Sequence, residues 1–297
     1  MRQAGVELSV IVVAWNSGAS LGRCLASVEG ASKGIRTETV VVDNASTDGS
    51  AGRAAGRDGV RLIRNSENVG FARAVNQALS EAEGGVVLLL NPDAQIGRES
   101  LGGLMAAVGT DGRIGIAGCS SVDSDDRNAP GYEMSFPGQR GASVAQAEGP
   151  GRDVAWVSGA CLAARRGMVK EIGPLDEGFF MYYEDVDWCY RARAAGWRVV
   201  TVPGVEIRHD LGESAAQVSA EERARWAAES RVWFYEKNYS PGRARWLRAK
   251  MAASALLGGI WRLVPALFSP AARDGLLAGW ARARAAVCGA RAGRDRT

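Results

Sequence analysis

Leu8-Ser9-Val10-Ile11-Val12-Val13-Ala14, followed at once by Trp15-Asn16-Ser17, is the stretch that decides the fold of this chain. An apolar, β-branched run of this length is typical of a buried strand. Similar runs recur at 38–42, 60–63, 86–90 and 114–117, and helical patterns lie between them at 21–28, 47–56, 71–82 and 101–108. This alternation predicts an α/β fold whose central sheet is mainly parallel and is flanked by helices.

Polar residues follow three of the predicted strands, namely Trp15-Asn16-Ser17, Asp43-Asn44-Ala45-Ser46 and Asn91-Pro92-Asp93. Because ligands bind at the carboxyl ends of strands in such sheets, we expect one shared cleft. A carboxylate at Asp43 can accept hydrogen bonds from a ribose or a base. One at Asp93 can hold a divalent cation against a diphosphate, whose oxygens and waters complete the coordination. Ordinary Asx and Pro-Asp turns are the structural alternatives.

Composition favours a globular protein of the cytosol. The 297 residues, 46% of them hydrophobic, are enough for one large domain or two small ones. The five cysteines are scattered and without CxxC spacing, which argues against a disulfide framework and against a zinc site. We therefore expect reduced, mostly buried thiols. No secretory signal is visible ahead of Leu8, so a cytoplasmic location is expected.

Charge is unevenly distributed along the chain. The net charge is +3, but residues 241–297 carry +9, which leaves −6 for residues 1–240. We predict a catalytic domain at 1–240 and a basic helical extension at 241–297. A basic end behind an acidic body is unlike a nucleic-acid reader, whose folded domain would carry the basic face.

The basic extension instead suits the inner face of an anionic membrane, where the protein would be peripheral. Its tryptophans and cations are Trp246, Trp261 and Trp280 with Arg243, Arg245, Arg248, Lys250, Arg262, Arg273, Arg282 and Arg284. The apolar portion Met251–Phe268 is too short and interrupted for a membrane span of about 20 residues. The alternative is a helical extension packed on the catalytic domain or on a second subunit, and a homodimer is compatible with the sequence.

Two further segments hold candidate functional groups. In Met181-Tyr182-Tyr183-Glu184-Asp185-Val186-Asp187-Trp188-Cys189-Tyr190-Arg191, three carboxylates lie at the start of a predicted helix. The free N–H groups of a first turn favour ionised acids, whose role is either catalytic or simple capping. Asp187 is placed to pair with Arg191 at i,i+4. His209, the only histidine, ends a predicted strand beside Asp210, where a structural role is the alternative to metal binding.

Taken in order, these segments resemble the inverting family 2 glycosyltransferases with a GT-A fold, and most of all the bacterial rhamnosyltransferases that act on polyprenyl-diphosphate-linked glycans. The resemblance covers about residues 6–240. The motifs that carry it are Asp43-Asn44-Ala45-Ser46-Thr47-Asp48-Gly49-Ser50, Asn68-Val69-Gly70-Phe71-Ala72-Arg73-Ala74-Val75-Asn76, Leu90-Asn91-Pro92-Asp93, Trp156-Val157-Ser158-Gly159-Ala160, Asp176-Glu177-Gly178-Phe179-Phe180-Met181-Tyr182-Tyr183-Glu184-Asp185-Val186-Asp187 and His209-Asp210-Leu211-Gly212-Glu213-Ser214.

The resemblance implies a role for each matching residue. Asp43 would bind the nucleoside, Asp185 would be the general base, and Asp93 with His209 would hold Mg²⁺ or Mn²⁺. Asn91 stands where the family has the first acid of its Asp-x-Asp metal motif, and it would contact ribose or diphosphate instead. The remaining expected donor-binding residues are Ala14, Asn16, Asn44, Asn68, Gly70 and Asn76. The expected acceptor and sugar residues are Trp156, Ser158, Gly159 and Glu184.

The implied reaction moves a sugar, with L-rhamnose from dTDP-rhamnose as our first candidate, to a glycan or lipid-linked acceptor hydroxyl in surface polysaccharide synthesis. The enzymatic alternatives are a galactofuranosyl- or other hexosyltransferase that uses a UDP- or GDP-sugar, and a nucleotidyltransferase. The last would be expected to carry an early Gly-rich loop with a lysine, which 9–20 lacks. A NAD oxidoreductase is weakened because no G-x-G-x-x-G follows the first strand. An inactive sugar-nucleotide-binding protein is the non-enzymatic alternative.

Overall fold

The structure, a computed structural model, describes residues 5–139, 144–209 and 218–266. The first part of the chain alternates strands and helices: β1 (Leu8–Ala14), α1 (Gly18–Ala31), β2 (Thr37–Asp43), α2 (Ser50–Ala54), β3 (Val60–Arg64), α3 (Phe71–Glu81), β4 (Val86–Leu90), β5 (Ala94–Gln95), α4 (Arg98–Thr110) and β6 (Ile114–Val122). There follow β7 (Asn128–Ala129), β8 (Tyr132–Glu133), β9 (Arg152–Asp153), β10 (Trp156–Val157), β11 (Cys161–Arg165), α5 (Arg166–Ile172), α6 (Glu184–Ala194) and β12 (Arg198–His209). The last helices are α7 (Ala220–Asn238) and α8 (Pro241–Ala266).

The main sheet runs in the order β3-β2-β1-β4-β11-β6-β12-β5. Its first four strands are parallel, and β12 is parallel to β6. Strand β11 lies antiparallel between β4 and β6, and β5 is antiparallel to β12. The prediction of a mainly parallel sheet is confirmed, and the structure adds antiparallel strands on the side of β6 and β12.

The core forms because the central strands and the helices beside them carry apolar residues on their buried sides. All five residues of β4 are buried, as a central strand covered on both faces requires. In α1 the buried residues Leu21, Cys24, Leu25 and Val28 follow the spacing of one helical face. Burying one such leucine or valine contributes about 1.5–3 kcal/mol.

One predicted element boundary differs from the structure. Helix α2 is only Ser50–Ala54, because the loop before it is folded onto Asp48, whose carboxylate accepts from the backbone N–H and the hydroxyl of Ser50. The predicted strand that ends at His209 is the long strand β12. Residues 120–139 and 144–153 contain the end of β6 and the short strands β7, β8 and β9.

Contacts between α-carbons divide the chain into two compact units. The first is Met1–Leu175 with Asp185–Ser214, and the second is Asp176–Glu184 with Ala215–Thr297. The sheet belongs to the first unit, and α7 and α8 belong to the second. The predicted boundary at residue 240 stays a prediction.

None of the helices within the described residues combines the length and apolar character that a bilayer crossing requires. The part of the membrane prediction that rests on residues 267–297, with Trp280, Arg273, Arg282 and Arg284, lies outside the described residues, as do Cys288 and Asp210.

Candidate active site

The loops that follow β1 and β2 hold one another in place. Ala14 is paired with Asp43 in the parallel register, and the Asn44 N–H donates to the Ala14 carbonyl at 2.7 Å. The Asn16 N–H donates to Ser46 Oγ at 2.8 Å, and Asn16 Oδ1 accepts from the Thr47 N–H at 2.8 Å. Asn16 has a φ of 47°, in the left-handed region that non-glycine residues rarely adopt. Ala14, Asn16 and Asp43 therefore come together at one edge of the sheet.

Asp43 ends β2 at this edge and is 5% exposed. Its Oδ1 accepts from the Ser46 N–H at 3.3 Å, so the Asx turn considered from the sequence is present. One such contact leaves most of the acceptor capacity of a carboxylate unused by the turn. The turn therefore does not compete with the predicted nucleoside contact.

Asn44, Asn68 and Asn76 use their amides inside the protein. Asn44, 2% exposed, donates from Nδ2 to Asn68 Oδ1 at 2.8 Å, and its Oδ1 accepts from the Val69 N–H at 3.1 Å. Asn68 Oδ1 also accepts from the Gly70 N–H at 3.0 Å. These bonds fasten the loop before α3 to the end of β2, which positions Gly70.

Asn76 makes a two-sided contact with the backbone of Leu175. Its Nδ2 donates to the Leu175 carbonyl at 2.9 Å, and its Oδ1 accepts from the Leu175 N–H at 3.0 Å. The pairing ties α3 to the chain just before the acidic segment. Direct donor contacts from Asn44, Asn68 and Asn76 stay predictions, since the bonds that the structure shows are structural.

Asp93 and His209 meet although 116 positions separate them in the sequence. The cause is the antiparallel pairing of β5 with β12, which sets His209 opposite Ala94. His209 Nε2 lies 3.1 Å from Asp93 Oδ1 and 3.4 Å from Asn91 Nδ2. Both side chains are buried, with 6% of Asp93 and 7% of His209 exposed.

This cluster suits a divalent cation that shares its ligands with a diphosphate. One carboxylate and one imidazole are acceptable ligands for Mn²⁺, and a hard cation such as Mg²⁺ needs only one or two protein carboxylates beside phosphate oxygens and waters. Within the described part of the chain, no three His, Cys, Asp or Glu residues are grouped to hold a metal alone. Asp93 and His209 would supply two ligands, and diphosphate oxygens and waters would fill the remaining positions.

Asp185 lies at the start of α6, and backbone N–H groups fix both oxygens of its carboxylate. The Gly159 N–H donates to Oδ2 at 2.8 Å, and the Val186 N–H donates to Oδ1 at 2.8 Å. Burial raises the pKa of this carboxyl above the ordinary 3.8, and the two N–H donors offset part of the rise. A carboxylate that is oriented and more basic than usual is suited to accept a proton.

Gly159 has a role that its sequence motif did not reveal. Its N–H is the hydrogen-bond partner that orients Asp185, and a β-carbon at Gly159 would lie 3.5 Å from the Asp185 β-carbon.

The indole Nε1 of Trp156, three positions before Gly159, is buried and has no hydrogen-bond partner among the described residues. A buried donor of this kind is costly unless a ligand satisfies it.

Two residues just before Glu184 hold a backbone conformation that the sequence does not predict. Tyr182 and Tyr183 both have a φ of 69°, where bulky side chains crowd the backbone. This backbone conformation destabilises the folded protein by about 1–3 kcal/mol per residue, and it is concentrated at functional sites. Glu184, the next residue, is 6% exposed.

The predicted ion pair between Asp187 and Arg191 is confirmed. Arg191 Nε donates to Asp187 Oδ2 at 2.8 Å, and the same guanidinium donates to the carbonyls of Ile172 and Pro174, each at 2.7 Å. Asp187 is thus structural. The prediction of reduced cysteines also holds for Cys24, Cys119, Cys161 and Cys189, which are free and buried.

Comparisons with known proteins identify the family of this chain. The profile of the family described as "Glycosyltransferase like family 2" matches residues 5–228. The chain is 31% identical over 278 residues to N-acetylglucosaminyl-diphospho-decaprenol L-rhamnosyltransferase of Mycobacterium tuberculosis, covering 82% of this chain and 90% of that protein. It is 24% identical over 184 residues to the dTDP-rhamnosyl transferase RfbF of Shigella flexneri, covering 60% and 62%.

Among solved structures, the mannosyltransferase PcManGT from Pyrobaculum calidifontis, in complex with GDP-Man and Mn²⁺, superposes with a TM-score of 0.60 at 17% identity, covering 97% of this chain and 89% of that one. This likeness confirms the predicted GT-A fold. The family match over residues 5–228 places the activity among sugar transferases: the chain belongs to glycosyltransferase family 2 and is a glycosyltransferase.

Proposed function

We propose that this glycosyltransferase moves L-rhamnose from dTDP-rhamnose, with inversion, to a hydroxyl of a polyprenyl-diphosphate-linked glycan in surface polysaccharide synthesis. The observation that carries the proposal is the 31% identity, over most of both chains, to a rhamnosyltransferase named for a decaprenol-linked acceptor. The second rhamnosyl transferase that it resembles supports the same sugar.

In the proposed mechanism Asp185 accepts the proton of the acceptor hydroxyl as the hydroxyl oxygen attacks C1 of the sugar. The bond between C1 and the diphosphate breaks in the same displacement, which inverts the configuration. The diphosphate leaves without protonation, so a second carboxylate acting as a general acid is unnecessary. A cation held by Asp93 and His209 would supply positive charge to the leaving diphosphate.

The donor is proposed to bind along the edge formed by β1, β2 and β4. Asp43 would bind the nucleoside, with Ala14 and Asn16 beside it, and Asn91 would contact ribose or diphosphate. Asn44, Asn68, Gly70 and Asn76 would contribute by shaping the loops around this edge. Trp156, Ser158, Gly159 and Glu184 remain the proposed acceptor and sugar residues, and the unsatisfied Trp156 indole N–H supports a hydroxyl partner there.

A donor screen tests the proposal. The purified protein would be incubated with dTDP-rhamnose, UDP-galactofuranose, UDP-N-acetylglucosamine and GDP-mannose, with Mg²⁺ or Mn²⁺, and with a polyprenyl-diphosphate-linked acceptor. Release of nucleoside diphosphate and formation of product are both read. We expect acceptor-dependent release from dTDP-rhamnose. Release from a UDP- or GDP-sugar alone would replace the proposed sugar, and donor binding without transfer would indicate an inactive binding protein.

The pH dependence of transfer should report the ionisation of Asp185. Because a base must be deprotonated and burial raises the pKa of this carboxyl, kcat/KM should fall as the pH drops through a value above 3.8. At higher pH the rate should reach a plateau on this limb. The measurement is a pH–rate profile under conditions where far-UV circular dichroism shows the protein folded. A fall in kcat/KM that is centred at or below pH 3.8, the ordinary pKa of this carboxyl, would contradict the assignment.

We further propose that α8 contacts an anionic membrane surface. Trp246, 61% exposed, is the one large hydrophobic side chain exposed among the described residues. Lys250 Nζ lies 5.2 Å from its ring centroid, and Arg245 is exposed beside it. An exposed aromatic ring between cations suits the headgroup region, where each cation contributes about 1 kcal/mol.

Removing these exposed groups should reduce binding to vesicles that contain phosphatidylglycerol. Because Ala244 and Leu247 of α8 are buried, a point variant is a sharper probe than truncation after Ser240. The triple variant Arg245→Gln, Trp246→Ala, Lys250→Gln should cosediment at least about tenfold less, as expected for two lost cations. The control is Lys33→Gln with Lys170→Gln, which removes two exposed cations from the other unit. Equal binding by all three proteins would rule out this membrane contact.

A further inference from the structure

Helix α7 contacts the segment Asp176–Glu184 through one face, and both belong to the same compact unit. The residues of this α7 contact face are Trp226, Ser230, Trp233, Phe234 and Lys237. Their spacing of three and four positions places them on one side of a helix. The segment is therefore held along its length by a single helix.

Polar contacts fix the segment Asp176–Glu184 at two positions, Asp176 and Met181. At its start, Asp176 Oδ2 accepts from Lys237 Nζ at 2.7 Å and from Trp233 Nε1 at 3.3 Å. Further on, Ser230 Oγ donates to the Met181 carbonyl at 2.7 Å. The salt bridge anchors the entry of the segment, and the hydroxyl anchors the residue just before Tyr182.

Aromatic contacts complete the face. The rings of Phe180 and Trp226 lie 5.1 Å apart between centroids, and those of Tyr183 and Phe234 lie 5.9 Å apart. These packed rings flank the hydrogen bond from Ser230. Tyr182 and Tyr183 are thus held between a hydrogen bond on one side and a ring contact on the other.

The position of the Ser230 bond is informative. A serine inside a helix commonly bonds a carbonyl of its own preceding turn. Ser230, 4% exposed, instead donates to Met181, directly ahead of the two residues with left-handed φ. Backbone in this region persists only where surrounding contacts determine it.

We infer that Ser230 is a positioning residue for Asp185. By fixing the Met181 carbonyl it maintains the two left-handed residues, and these set the direction in which the chain enters α6 one residue before Asp185. Ser230 would act through the Met181 carbonyl and not through contact with the substrate. The inference rests on the proposed role of Asp185 as the base.

The test compares Ser230→Ala with Ser219→Ala. Ser219 is the N-cap of the same helix, where its hydroxyl accepts from the Glu222 N–H at 3.1 Å, so its loss also weakens α7. We expect Ser230→Ala to lower kcat about ten- to a hundredfold, as small misplacements of catalytic groups do, with the donor KM within twofold of wild type. Ser219→Ala should lower the melting temperature without this loss of kcat.

Amide hydrogen exchange of residues 181–186 provides a readout independent of turnover. Exchange should accelerate in Ser230→Ala and stay at the wild-type rate in Ser219→Ala. A kcat of Ser230→Ala within twofold of wild type would overturn the inference while leaving the glycosyltransfer proposal intact. If the wild-type protein transferred no sugar from any donor, the proposed function would fail. Equal amide exchange in the wild type, Ser230→Ala and Ser219→Ala would then overturn the positioning role of Ser230 as well.

Discussion

Asp185→Asn is expected to reduce sugar transfer by about 10²–10⁴-fold while donor affinity stays near the wild-type value. The asparagine keeps the shape of the side chain and can still accept from a backbone N–H, but it cannot take the acceptor proton. Single-turnover transfer and equilibrium binding of the nucleotide sugar would measure the two effects separately. Transfer within threefold of wild type would remove Asp185 from the role and make Glu184 the candidate.

The stability of Asp185→Asn separates a catalytic loss from misfolding. Burial raises the pKa of Asp185, so the folded state favours its protonated form. The corresponding stability is present at low pH and is lost as the pH rises through the folded-state pKa. At neutral pH the neutral asparagine avoids the cost of a buried charge, but its NH₂ group leaves one of the two backbone N–H donors unsatisfied. The melting temperature should therefore fall by no more than the loss of about one hydrogen bond, about 1–3 kcal/mol, requires.

Asp187→Asn, two positions along α6, is the matched contrast. It weakens the contact with Arg191, in which Asp187 is fully buried, and should cost about 1–3 kcal/mol of unfolding free energy. The folded fraction should keep most of its transfer rate. The opposite pattern, with Asp187→Asn inactive and Asp185→Asn active, would contradict both assignments.

Asp93→Ala and His209→Ala are each expected to weaken Mn²⁺-dependent donor binding at least about tenfold, since even outer partners of metal ligands contribute that much. The two side chains lie 3.1 Å apart and are proposed to hold the same cation, so their effects should not add. Titration of the donor with Mn²⁺ and with EDTA, for both single variants and the double variant, gives the coupling. The double variant should resemble the weaker-binding single variant.

Donor binding measured without metal is the internal control for this comparison of single and double variants. In EDTA the donor affinities of the variants and the wild type should differ little, because none of the proteins then binds the donor through a metal ion. Wild-type activity that EDTA leaves unchanged would refute the metal assignment. His209 would then be a structural residue or a direct phosphate contact.

Much of the site was predictable because its signals are local. The five apolar residues of β4, all buried, predict a strand by their composition alone. The polar residues that follow them mark where the strand ends. Asp43 and Asp93 could be selected for the same reason, and Asp185 because it lies in the first turn of a predicted helix. The pairing of Asp187 with Arg191 was predictable because it depends only on helical spacing.

Other features could not be predicted because residues far apart in the sequence create them. The antiparallel β11 enters the sheet by pairing with β4 and β6, which no property of residues 161–165 reveals. The amides of Asn44, Asn68 and Asn76 look like donor contacts in their motif, yet the structure engages them in bonds between loops and helices. The left-handed Tyr182 and Tyr183 are equally invisible, since tyrosine has no preference for that region.

The sequence by itself therefore determined the kind of sheet and the polar residues that follow its strands, because hydrophobic period and turn residues are encoded over a few neighbouring positions. Only the tertiary structure decided that His209 meets Asp93, that Gly159 orients Asp185, and that α7 holds the segment ahead of Glu184. These contacts depend on strand pairing and helix packing between distant parts of the chain, and they form only when the whole fold closes around them.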